Sequence, residues 1–149
     1  MNHYHTTLHL TAPAATVYAA LTTPTGITSW WTRNCTVGTA LGETLTVRFG
    51  ATYKVLRIER LEPAREVRWR CIDSYLHVPG IIDAKDEWKD HELIFRLREH
   101  GATATALDFD HIGLNPSVAC YDICTGGWAQ FLSSLQAYVQ TGTGRPYQS

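Results

Sequence analysis

The chain has 149 residues, 44% of them hydrophobic, with thirteen Lys and Arg against fourteen Asp and Glu. That length suits a single domain with a substantial core, and a net charge of −1 with no basic run excludes nucleic acid and anionic membrane as default partners. No apolar run reaches the ~18 residues of a spanning helix, and MNHYHTTLHL is no signal peptide. The cytoplasm is therefore the expected compartment, with the four cysteines reduced. Five tryptophans and seven tyrosines are many for this length; they can fill a core or line a cavity for flat apolar molecules.

Taken in order, Tyr4, Thr6, Leu8 and Leu10 alternate with His3, His5, Thr7 and His9, which predicts a strand with one polar face. The histidines are expected as solvated edge residues, since no carboxylate or cysteine is evident in register with them. Thr11 and Pro13 open a short helix presenting Val17, Ala20 and Leu21. Thr23-Pro24 opens a second, with Ile27, Trp30 and Trp31 at i, i+3, i+4. Two adjacent tryptophans are not expected to enter one core together, so one of them should face a groove.

Strands follow. Leu45, Val47 and Phe49 alternate with polar residues, and Gly50 marks a turn. Residues 51–61 read as a strand in which Val55 and Ile58 are out of phase, as a bulge would explain. After the turn at Glu62-Pro63-Ala64-Arg65, Val67, Trp69 and Cys71 form an inward face. Residues 92–99 carry Leu93, Phe95 and Leu97 inward, and residues 102–111 end on His111. Short turns between such strands predict an antiparallel meander. Residues 73–86, DSYLHVPGIIDAKD, are expected as a long apolar loop, either a binding lid or packing over a sheet edge. The tail TGTGRPYQS is expected to fray.

The longest helical pattern runs from Pro116 to Tyr138, with Val118, Tyr121, Cys124, Trp128, Phe131, Leu135 and Tyr138 on one face. Asn115 is its expected N-cap and Gly142 its C-terminal stop. Such a helix spans about 34 Å and needs a broad partner, which a curved sheet supplies. Gly126-Gly127 in mid-helix costs roughly 1 kcal/mol per glycine relative to alanine, so a kink or a close approach by sheet or ligand is expected there. Cys120 and Cys124 share a helix face; they lack the spacing and ligand number of a zinc site and are expected as small buried thiols. No metal or cofactor is expected.

The order of elements resembles the α+β helix-grip fold of the SRPBCC superfamily, which contains START lipid-binding domains and birch-pollen-allergen-like proteins. The segment from Ala14 to Pro24 followed by Trp30-Trp31 resembles the opening of bacterial proteins similar to the heat-shock-protein ATPase activator homologue. The segments from Phe109 to Leu114 and from Gly127 to Leu135, with Thr141 to Pro146, resemble that family's closing segments. The resemblance implies a curved sheet of six or seven strands gripping the C-terminal helix, one domain over residues 1–149, and a cavity between sheet and helix. Superfamily members include lipid and sterol carriers, aromatic polyketide cyclases, oxygenase subunits and co-chaperone domains, and fold alone does not choose among them.

Within that frame the expected occupant is a small hydrophobic or aromatic, lipid- or polyketide-like molecule. Trp30, Trp31, Trp69, Trp88, Tyr121, Trp128 and Phe131 are its expected lining. His111 and Asp73 are the candidate polar anchors. The alternatives are an enzyme of cyclase, dehydratase or hydrolase type using the same cavity, and a co-chaperone-like interaction module. In the enzyme reading His111 is a general base oriented by Tyr121 or Asp73; otherwise it donates to a loop carbonyl and caps the helix start. A homodimer through the apolar stretch Tyr75 to Ile82 is a further expectation.

Overall fold

The computed structural model describes residues 3–148. The elements are β1 (Tyr4–Leu10), α1 (Ala14–Thr22), α2 (Pro24–Trp30), β2 (Cys35–Val37), β3 (Thr44–Phe49), β4 (Thr52–Glu62), β5 (Glu66–Val78), β6 (Ile82–Lys85), β7 (Glu92–Glu99), β8 (Thr105–Ile112) and α3 (Tyr121–Thr141). Eight antiparallel strands form one sheet in the order β1-β8-β7-β5-β4-β3-β2, and β6 pairs with the far half of β5. α3 crosses the inner face, and α1 and α2 close one end, so the architecture is the helix-grip α+β fold.

Two bulges shape the central pair. β4 and β5 step register between Val55 and Leu56, where Ile72 is skipped, and again between Ile58 and Arg60, where Glu59 is skipped. Neither is the bulge expected between Val55 and Ile58: β4 alternates without a break from Thr52 to Ile58, so Val55 simply faces outward, and the bulge at Glu59 comes after both. The first turns over the phase of β5: Val67, Trp69 and Cys71 are buried before it, Ser74 and Leu76 after it. Asp73, expected as a polar anchor of the cavity, therefore lies on the opposite face from Cys71, because one extra residue exchanges the two sides of a strand.

The expected loop over residues 73–86 is instead a hairpin of the far half of β5 with β6. Pro79-Gly80 makes its turn, with Gly80 at φ +75 and Ile81 N–H donating to the Val78 carbonyl at 2.9 Å. Beyond β6 the chain folds back on β5: Asp86 N–H donates to the Ser74 carbonyl and Asp90 N–H to that of Cys71. This connection carries Trp88 inward, its N–H donating to Ser74 Oγ at 3.1 Å.

α3 starts at Tyr121 rather than Pro116. Asn115 folds an Asx turn onto Ser117, and the cap comes from elsewhere in the chain: Glu87 Oε1 accepts the Cys120 N–H at 3.1 Å. Gly142 ends α3 at φ +87, as expected. Its tail is pinned rather than frayed, for Tyr147 N–H donates to the Trp31 carbonyl at 2.9 Å and Arg145 N–H to Ser134 Oγ at 2.6 Å. Trp30 and Trp31 both enter the core, stacked 5.2 Å apart with their rings 4° from parallel. Trp31 lies just past the end of α2, at its C-cap, so it is released from helical side-chain geometry. It also stacks on Trp69 at 5.8 Å, and each such pair adds about 0.5–1.5 kcal/mol beyond its buried area.

His9 is exposed as expected, but His3, just before β1, and His5 are not simply solvated. Asp110 stands opposite His5 in the β1–β8 register, and its Oδ1 accepts from His3 Nε2 at 2.9 Å and His5 Nδ1 at 2.8 Å. Alternation within β1 alone could not show that partner, because it comes from a strand about a hundred residues on.

Candidate functional site

A cavity of about 270 Å³ lies between the outer half of β5, β4 and the first half of α3. Its walls are Trp31, Phe49, Leu76, Trp88, Trp128 and Phe131, with Lys54, His77, Cys124, Gly127 and Tyr147 among the remaining lining residues. Ile123, 37% exposed, stands where it meets solvent. Trp88 and Trp128 are stacked at 5.8 Å, 15° from parallel, and form a flat wall. The room is there partly because α3 carries no side chain at Gly127. A Cβ there would meet nothing within 4 Å, and neither would one at Gly126, so the expected close approach by the sheet is absent.

Of the residues expected to bind ligand, Trp31, Trp88, Trp128 and Phe131 come together on this wall. Trp30 and Trp69 lie outside it, in the solid core, Trp30 donating from Nε1 to the Ala20 carbonyl at 2.8 Å. Tyr121 packs half-buried against the core at the first turn of α3 and is not part of the lining. Asp73 points outward, its carboxylate 4.0 Å from Lys85 Nζ on the exposed side of the hairpin.

His111 is fully buried behind the wall. The Trp128 Nε1–H donates to its Nδ1 at 2.9 Å. Indole N–H can only donate, so the imidazole proton sits on Nε2 and is donated to His91 Nδ1, also at 2.9 Å. Both ring nitrogens are thus engaged, neither with a loop carbonyl. Burial holds the His111 pKa well below the ordinary 6.5, helped by the neighbouring His91; His91 is lowered too, by burial first and then by the Lys54 charge. Gly113, at φ +102, seats His91, since a Cβ there would lie 2.5 Å from its ring.

The polar group that faces the cavity is Lys54. Thr52, Lys54, Leu56 and Ile58 share the inward face of β4, so a lysine stands where the pattern asks for an apolar residue. Its Nζ lies 4.3 Å from the centre of the Trp88 ring and has no hydrogen-bond partner. Burial lowers its pKa below the usual lysine value, while Cys124, Cys71, Cys120 and Glu87 pull the other way. The Cys120 and Cys124 sulfurs are 2.8 Å apart, and the Trp88 Nε1–H donates to Cys124 Sγ at 3.3 Å. The shared proton pushes the Cys120 pKa up and draws that of Cys124 down, and burial pushes Cys71 up to about 12. Among the described residues, no three His, Cys, Asp or Glu side chains are grouped to hold a metal ion.

Sequence reasoning missed Lys54, Phe49, Leu76, His77 and Tyr147 as lining. Lys54 was legible in principle as the one charge in phase with Leu56 and Ile58. Tyr147 gave no signal, because the tail's docking depends on the Trp31 backbone.

Sheet, crossing helix and intervening cavity define a helix-grip domain of the SRPBCC type. Residues 11–140 match the family described as "Activator of Hsp90 ATPase homolog 1-like protein", and the chain belongs to that family. It is similar to the Aha1 of Colwellia psychrerythraea, whose solution structure is a dimer, at 26% identity over 97% of this chain and 100% of that one, with a TM-score of 0.77. DynU16, a protein of the dynemicin biosynthetic locus, is 21% identical over 97% of this chain and 49% of its own, with a TM-score of 0.70. CalU16 from Micromonospora echinospora is 21% identical over 95% of this chain and 75% of its own, with a TM-score of 0.65; these last two likenesses are of fold. No curated protein matches the chain significantly. Among the described residues, no helix is long and apolar enough to cross a membrane.

Proposed function

We propose that the protein binds a small flat apolar or aromatic molecule between its sheet and α3. The observation that carries this reading is the cavity of about 270 Å³ walled by five aromatic rings, Trp31, Phe49, Trp88, Trp128 and Phe131. Burying an apolar guest there gains roughly 25 cal/mol for each Å² removed from water. Binding is favoured over turnover because His111, the residue best placed to act as a base, has both nitrogens committed to Trp128 and His91.

The neutral probe 2-naphthamide tests the reading. It should quench tryptophan fluorescence saturably in the native protein. Gly127→Leu, which fills the open space beside α3, should weaken binding at least tenfold while leaving the thermal midpoint within a few degrees. Equal binding by that variant, or no saturable binding by the native protein, would overturn the proposal.

A second copy of the chain is the proposed protein partner, docking through the β5–β6 hairpin. Ile81 at its tip is 72% exposed, and the similar Colwellia Aha1 is a dimer. Light scattering at micromolar concentration should give twice the monomer mass for the native chain and the monomer mass for Ile81→Asp. A native monomer, or a dimer unaffected by the substitution, would defeat this reading.

A further inference from the structure

We propose that the cavity's occupant carries a carboxylate and that Lys54 is the residue that receives it. The inference rests on the cavity being a ligand site and names the chemistry of the ligand. A lysine on a protein surface lays its methylenes along apolar neighbours and keeps its ammonium in water. Lys54 cannot. It is 3% exposed, it projects from the middle of β4 on the core-facing side, and its Nζ accepts no compensation beyond the Trp88 ring face at 4.3 Å.

Among the described residues, the chain supplies no carboxylate for it: none lies within salt-bridge distance of Nζ. Glu87, the acid that influences it, is turned to the Cys120 N–H at 3.1 Å and caps α3. Asp73, the nearest acid on β5 by sequence, was carried to the outer side by the bulge at Ile72 and faces Lys85. Of the nearby thiols, Cys71 stays neutral because burial raises its pKa to about 12, and Cys124, whose pKa the shared proton lowers, is bonded to Cys120 and the Trp88 N–H and not to Nζ.

Residue 77 fixes the far end of the same lining: its backbone exchanges hydrogen bonds with the Thr52 hydroxyl, at the end of β4 that carries Lys54, while its ring turns to the outer side of the sheet and stacks on Tyr75 at 6.0 Å. A buried charge without a partner is costly, and an ammonium–carboxylate pair formed away from water is charge-assisted and short. An acidic guest removes that cost; a neutral guest can at most hydrogen-bond the ammonium and leaves its charge unbalanced. The volume lies just below the ~300–1,000 Å³ usual for ligand pockets, which favours an acid of one or two rings over a long-chain lipid.

The test compares 2-naphthoate with 2-naphthamide, isosteres that differ in charge, by calorimetric or fluorescence titration of the native chain and Lys54→Met. The native protein should bind the carboxylate at least tenfold more tightly than the amide. Lys54→Met should bind the amide as before and lose the preference. Equal affinities in the native protein, or a preference that survives in Lys54→Met, would overturn the role of Lys54 and leave the cavity reading standing. If the native chain binds neither compound, the cavity reading fails and this inference with it. The native comparison alone decides the matter should the variant not fold.

Discussion

The two halves of β5 have the same strand geometry and opposite fates. Residues 66–71 pair with β4 and β7, and bury Val67, Trp69 and Cys71 in a solid core beneath α1 and α3. Residues 74–78 pair with β4 and β6, and there Leu76 faces a hollow. What separates them is one extra residue, Ile72. The bulge there changes which side chains look inward, and after it the strand's outer neighbour becomes a short hairpin instead of the long β7. Trp88 enters at the junction, held on Ser74. A single inserted residue thus divides a packed interface from an open one.

The largest expected effect tests the packed half. Trp69→Ala should cost about 3–5 kcal/mol in denaturant unfolding, the usual range for a buried large aromatic. Leu76→Ala should cost less than half as much, since the hollow beside it already lacks partner atoms on one side. Equal losses would mean that the two halves do not differ in packing.

Acid comes next. The His111 pKa is lower in the folded chain than the 6.5 of the unfolded one, so between the two values the unfolded chain binds the extra proton. Stability is therefore fully present above about pH 6.5 and falls as pH drops below it, by up to ~1.4 kcal/mol per pH unit for that proton. His111→Gln should flatten the decline seen in unfolding free energies between pH 7 and 5; an unchanged slope would remove His111 as its source.

Lys54→Met should stabilise the cavity half by about 1–2 kcal/mol, because it replaces a buried, unpaired ammonium with an apolar side chain of similar length. Chemical denaturation in the absence of ligand measures it, and a loss of stability would show that Lys54 has an internal partner. The smallest effect sharpens the bulge itself. Asp73→Ala should change stability by less than ~0.5 kcal/mol, as surface substitutions do, and should leave titrations with 2-naphthoate unmoved. Lost binding would put Asp73 back on the inner side.

Elements with a clean period were legible in the sequence. Leu93, Phe95 and Leu97 defined β7 to the residue, and Gly142 marked the end of α3 because its left-handed conformation suits glycine. Features that depend on distant contacts were not. The start of α3 is set by Glu87, thirty-three residues before the amide it caps. The hairpin at Pro79-Gly80 looked like a loop because the β5 alternation breaks at Ile72. For the site, aromatic content located four of the cavity's rings. Lys54 escaped because Val55 and Ile58, taken together, put the strand out of phase and left its inward face unassigned. His111 was read as an anchor, base or cap, and only the fold shows that Trp128 and His91 engage both of its nitrogens.

Tyr147 gives the molecule a property that its sheet alone would not have. The stretch around Tyr147 lies against the backbone at residues 31–33 and lends one ring to the vessel's side, although it belongs to no strand of the sheet. How long a guest stays can then be set by a few terminal residues whose removal leaves the barrel-like grip intact. Trimming them with a carboxypeptidase would turn a hollow into a trough, raising the escape rate of an occupant more than it lowers the melting temperature.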